Sequence, residues 1–451
     1  MIHRYKNNGY NIVLDVESGL VHVVDDIMYD VIGAYDEKKE KTDITEDLKN
    51  KYDIGEINEA IKEVDELIEN ESLFTKDVYR DKIDFKKRQT VVKALCLHIS
   101  HDCNLACKYC FAEEGEYHGR RALMSLEVGK KALDFLIENS GNRKNLEVDF
   151  FGGEPLMNWE VVKELVKYGR SREKECNKNF RFTLTTNGVL VDDDVIEFAN
   201  KEMSNVVMSL DGRKEVNDKM RPTRNGKGSY DIIVPKFKEF AKRRGDKDYY
   251  VRGTFTHENL DFASDVLHYA DLGFKNMSME PVVSEPTDSY SIKEEDLPMI
   301  MSEYDRLAKE YIKRKKEGNG FTFFHFMIDL DGGPCVYKRL SGCGSGTEYM
   351  AVTPWGDLYP CHQFVGDEKF LLGNVFDGVK NTEICDEFKL CNVYAKEKCQ
   401  KCFAKYYCSG GCAANSYKFH GNINDAYDIG CEMQRKRIEC AIMIKAALSE
   451  E

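Results

Sequence analysis

Three cysteines fall within eight positions in the stretch CNLACKYC: Cys103, Cys107 and Cys110. Thiolates are metal ligands, and thiols this close together in a reducing compartment point to a metal. Zinc in a structural site takes four protein ligands, and no fourth thiol or histidine stands nearby in the right register. Three thiolates suit a [4Fe–4S] cube with one iron left without a protein ligand. The amino and carboxylate groups of a methionine can chelate that iron. A second constellation lies far along the chain. Cys343 is followed after twelve residues by Gly356 and after four more by Cys361; then come Cys399-xx-Cys402-xxxxx-Cys408-xxx-Cys412 and, later, Cys431. CxxC pairs also serve zinc, so a pair of zinc ribbons is the rival reading of this segment.

Composition bounds the rest. The chain has 451 residues, a formal charge of −14, 42% hydrophobic and 32% charged residues, and sixteen cysteines. The acidic balance argues against general nucleic-acid or anionic-membrane binding, which need excess Lys and Arg. No apolar run approaches the ~20 residues needed to cross a bilayer, and MIHRYKNNGYNIV does not read as a signal peptide. The expected location is the cytoplasm, where disulfides are uncommon. Isolated Cys96, Cys176, Cys385, Cys391 and Cys440 suit buried thiols acting as small hydrophobes. The closely spaced ones do not.

Residues 1–80 read as a small separate domain. YNIVLDV and LVHVV form an expected hairpin around ESG. A helix over IMYDVIGAY follows, and DITEDLKNKY opens with an Asp-x-x-Glu capping-box pattern. In EINEAIKEVDELI the residues Ile57, Ala60, Ile61, Val64, Leu67 and Ile68 make one helical stripe. A hairpin with three small helices is winged-helix-like. Its acidity weakens a DNA-binding reading, whereas a peptide can pair with a free strand edge. A purely structural appendage is the plain alternative. DKIDFKKRQ is the expected linker.

From residue 94 to about 325 strand and helix patterns alternate. Strands are expected at ALCLHIS, LEVDFF, RFTLTT, NVVMSL, YYVRGTF and NMSMEPV, with amphipathic stretches such as LEVGKKALDFLIE and WEVVKELVKYGR between them. Six alternations predict an α/β fold with a parallel sheet curled into a partial (β/α)6 barrel, whose ligands sit at the carboxyl ends of the strands. From about 326 to 451 the rhythm stops. Gly, Cys and turn residues predict a loop-rich domain that metal ligation would stabilise.

Cys103, Cys107 and Cys110, with Tyr109 before the last, resemble the signature of the radical S-adenosylmethionine (SAM) enzymes. FFGGEP, TTNG and SLDG, at the ends of successive strands, continue the resemblance. It implies that Gly152 and Gly153 let backbone approach a ligand, and that Glu154 accepts the SAM ammonium. It also implies SAM contacts for Tyr109, Asn187, Ser209 and Arg252, with Glu280 in SMEPVV a further candidate for substrate or SAM. The implied chemistry is one-electron cleavage of SAM by the reduced cluster, yielding a 5′-deoxyadenosyl radical that abstracts hydrogen from carbon. A reductase, flavodoxin or ferredoxin would donate the electron.

The C-terminal constellation resembles the SPASM extension of radical SAM peptide-modifying enzymes. That resemblance implies two auxiliary [4Fe–4S] clusters, three clusters in all. The outer one falls to Cys399, Cys402, Cys408 and Cys431, and the inner one to Cys343, Cys361 and Cys412. Tyr349 stands where some relatives carry a fourth inner thiol, so the inner cluster is expected to keep an open iron unless Cys335 closes it. Nearly the whole chain resembles the maturases that form thioether cross-links in SCIFF peptides. The resemblance implies a Cys-rich precursor peptide with an N-terminal leader, captured by the first domain, and a Cys sulfur joined to carbon. Alternatives are an anaerobic sulfatase-maturating, formylglycine-forming enzyme, another radical SAM peptide cross-linker, or a zinc-dependent regulator.

Overall fold

A computed structural model describes residues 1–117, 119–330 and 335–449. Its first unit is a three-stranded antiparallel sheet, β1 (Ile2–Asn7), β2 (Tyr10–Asp15) and β3 (Val21–Val24), in that order. The expected hairpin is β2–β3, and β1 is an additional strand. Three helices follow, α1 (Asp26–Asp36), α2 (Lys41–Leu48) and α3 (Ile54–Glu69). The α3 stripe buries Ile57, Ala60, Ile61 and Val64 against Val31, Ile32 and Val13. The capping box anticipated at Asp43 does not form, because α2 begins at Lys41 and leaves Asp43 inside the first turn. The reciprocal box belongs to α3 instead, where Asp53 and Glu56 satisfy each other's backbone N–H groups.

The barrel is built as its periodicity predicts. Strands β4 (Ala94–His101), β6 (Asn145–Gly152), β7 (Asn179–Thr186), β8 (Met203–Ser209), β9 (Tyr249–Phe255) and β10 (Asn276–Pro281) lie side by side and parallel. The short β5 (Ala122–Leu123) pairs antiparallel with β4, and β11 (Thr322–Phe323) extends the far edge. Helices α4 (Leu126–Asn139), α5 (Trp159–Cys176), α6 (Asp193–Glu202), α7 (Lys214–Met220), α8 (Tyr230–Arg244), α9 (Phe262–Asp271) and α10 (Leu297–Lys316) fill the crossovers. Alternate strand residues such as Val148, Phe150, Phe182 and Leu184 are fully buried, and the two phenylalanine rings stack at 5.6 Å.

The C-terminal segment departs from a free-standing loop-rich domain. After α11 (Val336–Ser341), strand β12 (Tyr349–Val352) joins the barrel sheet, parallel to β4 with Tyr349 opposite Ala94 and Val352 opposite Leu97. Strands β13 (Asp357–Tyr359), β14 (Gly373–Asn374) and β15 (Gly378–Val379) continue it by antiparallel pairs. Short helices α12 (Thr382–Leu390), α13 (Glu397–Gln400), α14 (Lys405–Cys408) and α15 (Ala413–His420) lead to α16 (Asp428–Ser449). The periodicity of α16 is blurred in sequence because it packs on α10, on β1 and on the turn at Phe324–Phe326, which buries nearly every residue from Ile438 to Ala447. Among the described residues no helix is long and apolar enough to cross a membrane.

The N-terminal sheet is tied to this segment. Lys405 is 3% exposed and pairs with Glu17 at 2.8 Å, which also accepts from the Tyr406 hydroxyl at 2.7 Å. His3 stacks on Phe403 at 3.5 Å between centroids, and Tyr5 donates to the Glu439 carbonyl. Removing one partner of a buried pair leaves a lone charge, at a cost of about 3–5 kcal/mol, while removing both is often nearly neutral. Lys405→Met should therefore destabilise the fold by about 3 kcal/mol and speed amide exchange in β1–β3. The double variant Lys405→Met/Glu17→Met should recover most of the loss in denaturant titration. Equal stability of single and double variants would contradict this.

Candidate functional site

The loop after β4 carries Cys103, Cys107 and Cys110. Its backbone is sewn to the segment after α7: Ala106 N–H donates to the Pro222 carbonyl at 2.9 Å and Lys108 N–H to Met220 at 2.9 Å. Leu105 bridges to Thr223 and is buried, anchoring the loop from beneath. The three thiols share one environment. Burial pushes Cys103 up to about 12, reinforced by Glu154, Cys107 and Cys110. Burial pushes Cys107 up to about 11 against the pull of Arg221. Cys103 and Cys107 hold their protons until a metal displaces them, and the three thiols of this loop are a donor set that fits an iron–sulfur group.

The strand-end motifs converge on this loop. Gly153 N–H bonds the Ser100 carbonyl at 2.7 Å and Glu154 N–H the Asp102 carbonyl at 2.9 Å. A Cβ on Gly152 or Gly153 would collide with those same carbonyls, and Gly152 has φ +119°. The close approach at both glycines is thus to the end of β4. Glu154 is 1% exposed and accepts from Leu156 N–H, Thr186 Oγ1 and Asn187 N–H at 2.8–3.0 Å. Burial raises it, opposed by those three bonds. A carboxylate has about four acceptor positions, so one remains for a ligand cation. Asn187 reaches Cys103 Sγ at 3.6 Å and Asn104 Oδ1 at 2.7 Å. Ser209 and Arg252 are register partners across β8 and β9.

Tyr109 donates to Asp211 at 2.6 Å and accepts from Arg221 at 2.9 Å. Arg221 escaped the sequence reading; its signal was the basic turn RPTRNGKG after SLDG. Burial opposes its charge, yet Cys107, Tyr109 and Asp211 hold the guanidinium firmly protonated. Glu280 is tied elsewhere, to His325 at 3.2 Å and to Arg437 of α16 at 3.8 Å. Burial pushes Glu280 up, but His325, Arg437 and Arg252 pull it well below the usual carboxylate range. It fastens α16 to the barrel mouth.

The distant cysteines gather into two groups. Cys361 follows β13, Cys343 precedes β12, and Cys412 precedes α15; burial raises Cys361, reinforced by Cys412 and Cys343, and burial raises Cys412, reinforced by Cys343. Gly356, at φ +90°, makes the turn between β12 and β13 that returns the chain to Cys361. Cys399, Cys402, Cys408 and Cys431 form the second group, with Cys408 raised to about 12 by burial and then by the other three. Two further residues stand out. Cys391 lines one cavity with Cys343, and its thiol donates to the Ile423 carbonyl at 3.3 Å; Cys335 is exposed and does not line that cavity. His362, beside Cys361, packs between Phe111 and Phe151 at 5.6 and 5.1 Å, so it joins the two cysteine regions. Tyr349 reaches the Cys96 thiol.

Residues 97–261 match the family model of the Radical SAM superfamily. The radical SAM cyclopropyl synthase TigE of Paramaledivibacter caminithermalis is 24% identical over 92% of this chain and 89% of its own. The structure of native anSMEcpe with bound AdoMet and Cp18Cys peptide superposes with a TM-score of 0.65 at 20% identity, over 80% of this chain and 99% of that one. Streptococcus suis SuiB bound to S-adenosylmethionine does so with a TM-score of 0.52 at 16% identity, over 95% and 98%. Residues 97–261 therefore carry the radical SAM α/β fold, with its parallel sheet core. Cys107→Ala should abolish formation of 5′-deoxyadenosine from SAM under reducing anaerobic conditions and lower the iron content. Persistent 5′-deoxyadenosine would show that this loop does not hold the reactive group.

Proposed function

From a radical SAM domain at residues 97–261, we propose that this chain installs an intramolecular thioether, Cys sulfur to carbon, in a Cys-rich precursor peptide. A [4Fe–4S] cluster on Cys103, Cys107 and Cys110 would supply one-electron cleavage of bound SAM to methionine and a 5′-deoxyadenosyl radical. The protein positions the reaction. Glu154 offers its remaining acceptor to the SAM ammonium, Asn187 links that carboxylate to Cys103, and Tyr109 is oriented by Asp211 and Arg221. Ser209 and Arg252, side by side on β8 and β9, supply polar contacts to ribose or carboxylate.

The observation that carries the thioether reading is the inner thiol set. Cys361 feels Cys412 and Cys343, and Cys412 feels Cys343, while the Cys391 thiol donates to the Ile423 carbonyl and Tyr349 turns to Cys96. Three ligands leave room for a substrate thiolate, and soft sulfur suits an iron–sulfur site. The outer four thiols complete a second auxiliary cluster. Cross-linking removes two hydrogens from the peptide: the 5′-deoxyadenosyl radical would take a hydrogen atom from carbon, the thiol would lose a proton, and the electron released as the C–S bond forms would pass to the auxiliary cluster on Cys343, Cys361 and Cys412.

The N-terminal sheet supports leader capture. The outer edge of β3 has no strand partner among the described residues, and Leu20 and Val23 are 45% and 47% exposed beside it. Such an edge accepts an extended peptide by main-chain hydrogen bonds. Formylglycine formation is the second reading, favoured by the likeness in fold to anSMEcpe.

The test is mass spectrometry of a Cys-rich precursor co-expressed anaerobically with this protein, fully reduced and then alkylated. Loss of two hydrogens with one thiol resistant to alkylation is expected. The same mass loss with every thiol alkylated would replace the thioether with oxidation or a carbon–carbon link. Val23→Lys, at the exposed outer strand β3, should spare SAM cleavage and weaken peptide processing. Unchanged processing of the full-length precursor by that variant would remove the recognition role.

A further inference from the structure

Lys396 is among the largest fully buried side chains of the molecule. A lysine carries three ammonium donors and no acceptor, and an uncompensated charge in a protein interior is costly. Its Nζ donates to the Gly410 carbonyl at 2.8 Å, and Cys391 lines the same cavity as Lys396. No Asp or Glu of the described residues forms an ion pair with it, in contrast to buried Lys405 with Glu17.

Among the described residues no carboxylate lines its cavity. Lys396 lines one cavity with Cys343, Cys391, Gly410 and Gly411. Gly410 and Gly411 sit between Cys408, of the four-thiol group, and Cys412, of the three-thiol group. The backbone of Lys396 also starts the turn carrying Cys399, whose N–H donates to the Lys396 carbonyl at 3.0 Å. Cys343 lines the same cavity and Cys399 is hydrogen-bonded to the Lys396 carbonyl, so the residue stands beside a member of each group. With protonated thiols this cation has no counter-charge. With metal-bound thiolates it has one on each side.

We propose that Lys396 is the shared counter-cation of the two C-terminal iron–sulfur groups, a positioning residue that stabilises their reduced states and holds their potentials up. The proposal rests on the auxiliary-cluster reading above. A positive charge fixed beside a cluster favours the form with one more electron, and burial strengthens the effect because water does not screen it. The cation acts on both groups and not on the cluster of Cys103, Cys107 and Cys110, whose neighbouring cation is Arg221.

The test compares anaerobically purified wild type with Lys396→Met, Lys396→Gln and Lys396→Arg by iron content and redox titration followed by electron paramagnetic resonance. Expected is a shift of the auxiliary midpoint potentials to more negative values in the Met and Gln variants. Little shift is expected in the Arg variant, and none in the SAM-cleaving cluster of any variant. Loss of auxiliary iron in Met and Gln but not in Arg would also support the proposal, since charge would then be needed for loading. Unchanged auxiliary potentials at full iron content would overturn it, as would loss of iron in all three, which would make Lys396 a packing residue. Wild type with iron for one cluster alone would overturn the auxiliary-cluster reading first, and this inference with it.

Discussion

The structure depends on a short parallel pairing, β12 against β4. Strand β4 is buried along its whole length, with β6 on one side and β12 on the other. The loop leaving β4 carries the first three cysteines, and the chain on either side of the β12–β13 turn carries Cys343 and Cys361. Four residues of register therefore hold two thiol groups, separated by more than two hundred positions in sequence, in one rigid sheet. An edge strand left open at β4 would also expose unpaired backbone, so the pairing covers an edge as well as placing a site.

Around that sheet the protein buries charge in a patterned way. Arg221 is locked to Tyr109 and Asp211 beside the first thiol loop; Glu154 is filled by three donors between two strand ends; Glu280 ties His325 to Arg437 at the barrel mouth. Each is compensated by partners on a different element, so each holds elements in place as well as setting a local field. Low dielectric makes such groups costly alone and effective when paired. Lys396 has the Gly410 carbonyl as its partner, in a cavity that Cys343 and Cys391 line and no carboxylate does.

The N-terminal sheet follows from the same logic. Strand β1 lies against α16, and the turn after β2 sends Glu17 to Lys405 beside the outer thiols. Strand β3 lies at the opposite end of that sheet from β1, and its outer side has no strand partner among the described residues. A peptide pairing there would be held by a unit fastened to the cysteine-rich segment, with the barrel beyond it.

What the sequence by itself determined is local. Alternating hydrophobic periods marked the six barrel strands nearly to the residue, because strand and helix periodicity is set by neighbours within a few positions. CxxxCxxC and the later cysteine spacings marked candidate ligand loops, because ligand spacing within a loop is a short-range property. The tertiary structure alone decided what depends on distant partners. Strand β1 reads as a polar run until β2 pairs with it. Helix α16 has no clean stripe because three elements cover it. Asp43 and Asp53 offer similar capping patterns, and packing of the helices decided which one caps. Arg221 and Lys396 look like ordinary surface cations, and Cys391 like a lone core thiol; only burial beside the cysteine loops sets them apart. Burial is a sum over residues far apart in the chain, and no local window contains it.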